Sequence, residues 1–285
     1  MLFTRKLTFA IIFSCVLFCC NARRTPTPPA DLSRYDLLHP NIMNLPEGLA
    51  EISGITYYAK DSSLFAIQDE GGILYKIPIN KRDSIQKWIY DKKHDFEDVT
   101  LVDSVFYVLI SNGDIESVRF GAGDSIITHT AEFPKANKKH NEFESIYYDT
   151  DQHKLILFCK DCDDDGHKSV TAWGYDISTG TYTPGIFTID VEPIAAALGE
   201  KKIKLKPSAT AINPVTNELY ILCSVNKLLV ITDRQGKFKE LFALDPAIYK
   251  QPEGLAFAPT GDMMISNESH ETGSPDLLFI KNKKK

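Results

Sequence analysis

Carboxylates stand at matched places along this chain. Glu97, Glu144 and Glu253 open the similar runs Asp95-Phe-Glu-Asp-Val-Thr-Leu101, Asn141-Glu-Phe-Glu-Ser-Ile-Tyr147 and Gln251-Pro-Glu-Gly-Leu-Ala-Phe257. Further acids follow at the ends of the next apolar runs: Asp69, Glu70, Asp161 and Glu268, with Asn267 beside the last. If the fold gathers these ends, the carboxylates repel one another unless something positive neutralises them. A divalent cation with a taste for hard oxygen, Ca2+ first, is the natural partner, because it takes several carboxylates and carbonyls at once. Glu97, Glu144, Glu253, Asp69 and Asp161 are therefore the expected metal ligands. Glu70, Asp98, Asn267 and Glu268 are the expected contacts for a bound molecule. Two other outcomes stand beside this one: the carboxylates accept backbone N–H bonds at turns, or they hold protons.

Other motifs are less specific. Asp161, Asp163, Asp165 and Gly166 have the D-x-D-x-D-G spacing of a calcium loop, but the twelfth position is Ala172 in place of Glu, which excludes an EF-hand. A different calcium site and a solvated acidic turn both fit the spacing. Cys159-Lys-Asp-Cys162 is a C-x-x-C that lacks the following helix redox chemistry needs and the second ligand pair zinc needs. His140 and His167 read as surface or structural residues, and His270-Glu271 lacks the second His of a zinc helix. The sequence holds no nucleophile elbow, phosphate loop or dinucleotide fingerprint.

The elements that must position these side chains repeat. Residues 51–57, 95–101, 141–147, 206–212 and 251–257 each place a polar or small cluster before an apolar strand. Each is followed by a turn and a second strand: Ser63–Gln68, Val105–Ile110, 154–158, 218–222 and 262–266. Aligning Ser53, Glu97, Glu144, Ser208 and Glu253 gives spacings of 44, 47, 64 and 45. A period of about 45 built only of strands is the size of one four-stranded propeller blade. Third and fourth strands are visible at 73–79 and 84–90, and again at Leu228–Thr232 and 238–244. The long interval holds a helical insert at 193–198, with Pro at its start. The last repeat lacks its outer strand, and an open edge there calls for a strand from elsewhere. Residues 34–38 are the expected supplier. The reading is an all-β, five-bladed β-propeller closed by an N-terminal strand, with six blades as the alternative if the long interval hides a degenerate repeat.

Several of these runs, with Ala66-Ile-Gln-Asp-Glu70, Cys159-Lys-Asp161, Pro207-Ser-Ala209 and Ile265-Ser-Asn-Glu268, resemble the SdiA-regulated (YjiK-like) family of secreted bacterial β-propellers over roughly residues 35–280. The resemblance implies an extracytoplasmic propeller related to calcium-binding phytase-like propellers, and no settled activity.

The chain start fits that address. Arg5 and Lys6 precede an apolar run of about 13 residues, too short to cross a bilayer as a helix. The run ends at Leu17-Phe-Cys-Cys20, which resembles a lipobox with Cys20 as the lipidated residue. Residues 1–19 are thus an expected lipoprotein signal peptide. Residues 20–33, with Pro26, Pro28 and Pro29, are a tether, and 34–285 is the propeller domain. Past Cys20 the cysteines are Cys159, Cys162 and Cys223, which allows at most one internal disulfide and one free thiol. A net charge of −6 argues against nucleic acid and leaves the lipid as the expected tie to an envelope membrane. The expected function is a lipid-anchored, extracytoplasmic module that binds a small molecule or an envelope protein, with Ca2+ as the candidate cofactor. The rival is a metal-dependent phosphoesterase or lactonase-like hydrolase on the same face, though few cations stand near to hold substrate oxygens. A third reading is a structural envelope component with that face blocked by residues 185–205.

Overall fold

A computed structural model describes residues 34–79, 84–134, 141–163, 165–269 and 273–283. They form five four-stranded antiparallel sheets. Blade I is β2 (Ile52–Tyr58), β3 (Ser63–Gln68), β4 (Ile73–Pro78) and β5 (Gln86–Ile89). Blade II is β6 (Phe96–Val102), β7 (Val105–Ile110), β8 (Ile115–Phe120) and β9 (Ile126–Ala131). Blade III is β10 (Asn141–Asp149), β11 (Lys154–Cys162), β12 (Ser169–Asp176) and β13 (Thr181–Asp190). Blade IV is β14 (Ala209–Asn213), β15 (Glu218–Cys223), β16 (Leu228–Thr232) and β17 (Phe238–Ala243). Blade V is β18 (Pro252–Phe257), β19 (Met263–Asn267), β20 (Asp276–Ile280) and the N-terminal β1 (Asn41–Asn44). The protein is a five-bladed β-propeller, as the period of the sequence requires.

The apolar residues explain why the sheets stack face to face around an axis. Strands buried on both faces read as continuous apolar runs, and all five residues of β16 are buried. Five apolar clusters fill the seams between neighbouring blades. Phe65, Phe96 and Phe106 join blades I and II. Phe133, Phe143 and Trp173 join II and III. Phe158 and Ile221 join III and IV, Tyr220 and Ile265 join IV and V, and Ile52 and Met264 close V onto I. The first strands line the axis, and they approach closely where side chains are small: a Cβ on Gly54 would lie 2.5 Å from the Asp98 backbone.

Closure comes from the N-terminus, but not from residues 34–38. β1 pairs with β20 in the register Asn41↔Phe279 to Asn44↔Asp276. Residues 34–38 instead plug the seam between blades IV and V. Tyr35 and Leu37 are fully buried there, the Tyr35 hydroxyl donates to Gly261 O at 2.6 Å, and Asn213 Nδ2 donates to that hydroxyl at 2.7 Å. A buried tyrosine is more stable inside a seam with both hydroxyl partners than on a half-covered edge strand. The long third interval hides no sixth blade. Its length goes into the long strands β12 and β13 and the helix α1 (Glu192–Ala197), whose Ile194 packs into the seam between III and IV. The leader, Cys20, the tether, His140, Asp164 and His270-Glu271 lie outside the described residues.

Candidate functional site

Backbone irregularity aims the key glutamates. In β6 the pairing passes from Phe96↔Ile110 to Asp98↔Leu109, so Glu97 is an extra, unpaired residue. In β10 it passes from Phe143↔Cys159 to Ser145↔Phe158 and skips Glu144. In β18 it passes from Pro252↔Asn267 to Gly254↔Ser266 and skips Glu253. β2 breaks register over Ser53 in the same way. A bulge re-aims one side chain while the strand continues, and here each bulge falls at the aligned position of its blade. Residues two places earlier, Glu51, Asp95, Glu142 and Gln251, stand over this ring at the same end of the axis.

The result is an axial pocket of about 260 Å³ lined, among the described residues, by eight carboxylates and one lysine. Blade I supplies Glu51 and Asp69, blade II Asp95 and Glu97, blade III Glu142, Glu144 and Lys160, and blade V Glu253 and Glu268. Eight ionised carboxylates cannot share such a space with one ammonium, and the proton affinities show it. Burial, then Glu144 and Asp95, push Glu97 up to about 10. Burial raises Glu144 to about 8 even though Lys160 Nζ donates to its Oε1 at 2.7 Å. Glu253 is raised by burial. Burial and Glu253 lift Glu268 to about 7, and burial and Glu51 lift Asp69 to about 6. Burial pulls the Lys160 ammonium down, but Glu144 and Glu253 outweigh it and keep it charged. Glu97 and Glu144, the two pushed furthest, hold protons at neutral pH and titrate as interacting groups.

Of the nine residues expected from sequence, Glu97, Glu144, Glu253, Asp69 and Glu268 meet in this pocket. The other four stand outside it. Asp161 is turned to Lys204 Nζ at 2.5 Å and Lys206 Nζ at 3.3 Å. Hydrogen bonding to Lys204 holds its carboxyl below the usual range against a small desolvation effect. Glu70 forms an exposed ion pair with Lys93 at 2.9 Å. Asp98 points the other way along the channel, and its Oδ1 and Oδ2 accept from the Val99 and Ile146 amides at 2.8 and 2.9 Å. Asn267 is buried and donates to Ile248 O and Asp276 Oδ1, both at 2.9 Å. For Asp98 and Asn267, satisfying other polar groups of the fold is the role the contacts show. Asp95, Glu142 and Gln251 joined the pocket without having been singled out. Their signal was the two-residue period of an extended strand leading into each ring position.

Among the described residues, three donor atoms of different residues come within 4.8 Å of one another at Cys159, Cys162 and Asp165, and not in the axial pocket. Cys159 and Cys162 are joined in a disulfide, and Cys223 is a buried free thiol. Asp165 Oδ1 accepts the Thr171 amide at 2.9 Å while Asp161 faces its lysines, so the residues of the acidic loop are drawn apart. Residues 185–205 do not line the axial pocket and leave it open. The far end of the channel is a second cavity of about 470 Å³ with Tyr57, Thr100, Tyr148 and Phe257 in its wall.

Fold and site together define a five-bladed propeller with an acidic axial pocket. A family model described as SdiA-regulated matches residues 41–271, and the chain belongs to that family. No curated protein matches the chain. Among solved structures, glutaminyl cyclase of Myxococcus xanthus is similar at a TM-score of 0.57 and 13% identity, over 85% of this chain and 95% of that one. A luciferin-regenerating enzyme is similar at 0.52 and 11%, over 86% and 96%. Regucalcin of Agrobacterium tumefaciens str. C58, a calcium-binding protein, is similar at 0.51 and 12%, over 90% and 97%. Identities this low speak for the fold alone.

Proposed function

We propose that this chain is a lipid-anchored, extracytoplasmic binding propeller whose axial pocket takes a cation, Ca2+ first, as part of holding a small molecule or an envelope protein. The observation that carries the reading is the crowding of eight carboxylates from four blades against a single lysine. A hard cation competes there with the protons that burial keeps on Glu97 and Glu144. The oxygens stand too far apart to grip a bare ion, so the ion keeps part of its water shell or draws the glutamates inward. That the similar regucalcin is a calcium-binding protein makes Ca2+ the first probe. Hydrolysis of a phosphoester or lactone would need cations aimed at the substrate oxygens. Among the described residues Lys160 is the one cation lining the pocket, and Glu144 already holds it, which favours binding over turnover.

Two measurements test the reading. Ca2+ at about a hundredfold over its Kd stabilises the folded state by about 2.7 kcal/mol, which raises the melting temperature by roughly 5–10 °C for a domain of this size. Glu144→Gln with Glu253→Gln removes that rise. A melting curve indifferent to millimolar Ca2+ contradicts the cation reading. For the address, the wild-type chain expressed in bacteria sediments with membranes and Cys20→Ala does not. A Cys20→Ala protein that stays on membranes contradicts the lipid anchor.

A further inference from the structure

We propose that the Cys159–Cys162 disulfide is a positioning clamp for Lys160: it closes the bulged end of β11 so that the Lys160 ammonium rests on Glu144 as the resident counter-ion of the axial pocket, and its reduction lets that ammonium leave. The consequence for cation uptake rests on the function proposed above; the placement of Lys160 does not. Three observations carry it. The register of blade III passes from Glu142↔Asp161 to Phe143↔Cys159, so Lys160 is an extra residue on β11 just as Glu144 is on β10. The two extra side chains meet at 2.7 Å. The ladder between β11 and β12 covers Lys154 to Phe158 and stops there, so Cys159, Asp161 and Cys162 are paired with β10 alone. The disulfide lies where that second ladder has ended. Its sulfurs are anchored beside Phe133 and Phe143 in the seam between blades II and III. The two residues it brackets point at charges, Lys160 to Glu144 and Asp161 to Lys204 and Lys206.

Reduction by an added dithiol proceeds by thiolate attack on one sulfur and closure of the mixed disulfide. The S–S bond breaks, Cys159 and Cys162 end as thiols with two electrons and two protons gained, and the reagent ends as its cyclic disulfide. With the clamp open, Lys160 no longer opposes the burial that raises Glu144. The test follows the Glu144 carboxyl by ¹³C NMR titration in metal-free protein, oxidised and dithiol-reduced, with Lys160→Met marking complete loss of the ammonium. Cys159→Ser with Cys162→Ser repeats the reduced state without reagent, and circular dichroism reports whether the fold persists. The expected result is a Glu144 midpoint raised by about one unit or more in Lys160→Met, with the reduced protein and the serine variant moving most of the way to it. A midpoint unchanged on reduction, or unchanged in Lys160→Met, overturns the proposal. Absence of Ca2+ binding would overturn the cation reading instead and leave this titration as it is.

Discussion

Arg234→Met lowers the unfolding free energy by about 3–5 kcal/mol, the loss expected when one partner of a buried ion pair is removed. Arg234 follows β16 in blade IV and reaches into blade III. Its Nη2 meets Asp149 Oδ1, and its Nη1 lies 2.9 Å from Asn217 Oδ1 and 2.8 Å from Asp151 Oδ2. The Arg234 side chain is 7% exposed and that of Asp149 is 1% exposed, so water cannot replace the guanidinium. Asp149 also accepts the Asp151 and Gln152 amides at 2.9 Å, which hold the carboxylate in place after the arginine is gone. The whole cost of a stranded charge is then felt. Arg234→Met with Asp149→Asn recovers part of the loss, because the second change removes that charge. Urea unfolding reads both, with the slope unchanged and the midpoint moved. A loss below about 1 kcal/mol would mean that the pair behaves like an exposed one.

Stability falls as the pH rises from mildly acid to mildly alkaline. Glu97, Glu144, Glu253 and Glu268 all bind protons more tightly in the fold than the ordinary glutamate value of 4.5. Below that value both states are protonated and the contribution is complete. Above it the unfolded chain gives up its protons while the pocket keeps them, so the folded state binds more protons and stability drops. The drop continues until each folded value is passed, about 7 for Glu268, about 8 for Glu144 and about 10 for Glu97. Each retained proton costs about 1.4 kcal/mol per pH unit. Lowered carboxyls such as Asp36, Asp61 and Asp161 act in the opposite sense at more acid pH, but they are largely exposed and screened. The optimum therefore lies near the ordinary carboxyl value, and Glu144→Gln with Glu253→Gln flattens the alkaline slope. Urea midpoints that stay level or rise across that range contradict the account.

The blades were legible because each strand pattern recurs at nearly one spacing, and β3, β7 and β16 match the expected bounds residue for residue. The closing strand was legible as a need and not as a place. Residues 34–38 and 41–44 are both short and partly apolar in sequence, and only the seam that receives Tyr35 separates them. Glu97, Glu144 and Glu253 were legible by alignment, but the bulges that aim them were not, because a register shift leaves no mark on composition. Asp98 and Glu97 are neighbours in sequence, yet one lines each end of the channel, because the bulge at Glu97 breaks the regular alternation of the strand. No sequence pattern pairs Lys160 with Glu144, because that contact depends on a second bulge and a disulfide.

The most direct test of the central claim is calorimetric titration of the purified, metal-free protein with Ca2+ at neutral pH, in two buffers of different ionisation heat. Because the pocket holds protons there, binding must expel them, and the observed heat must differ between buffers by the protons released. The account predicts a saturable heat with at least one proton lost per Ca2+, both abolished by Glu144→Gln with Glu253→Gln. A titration without saturable heat, or one whose heat is the same in both buffers and survives the double substitution, contradicts it.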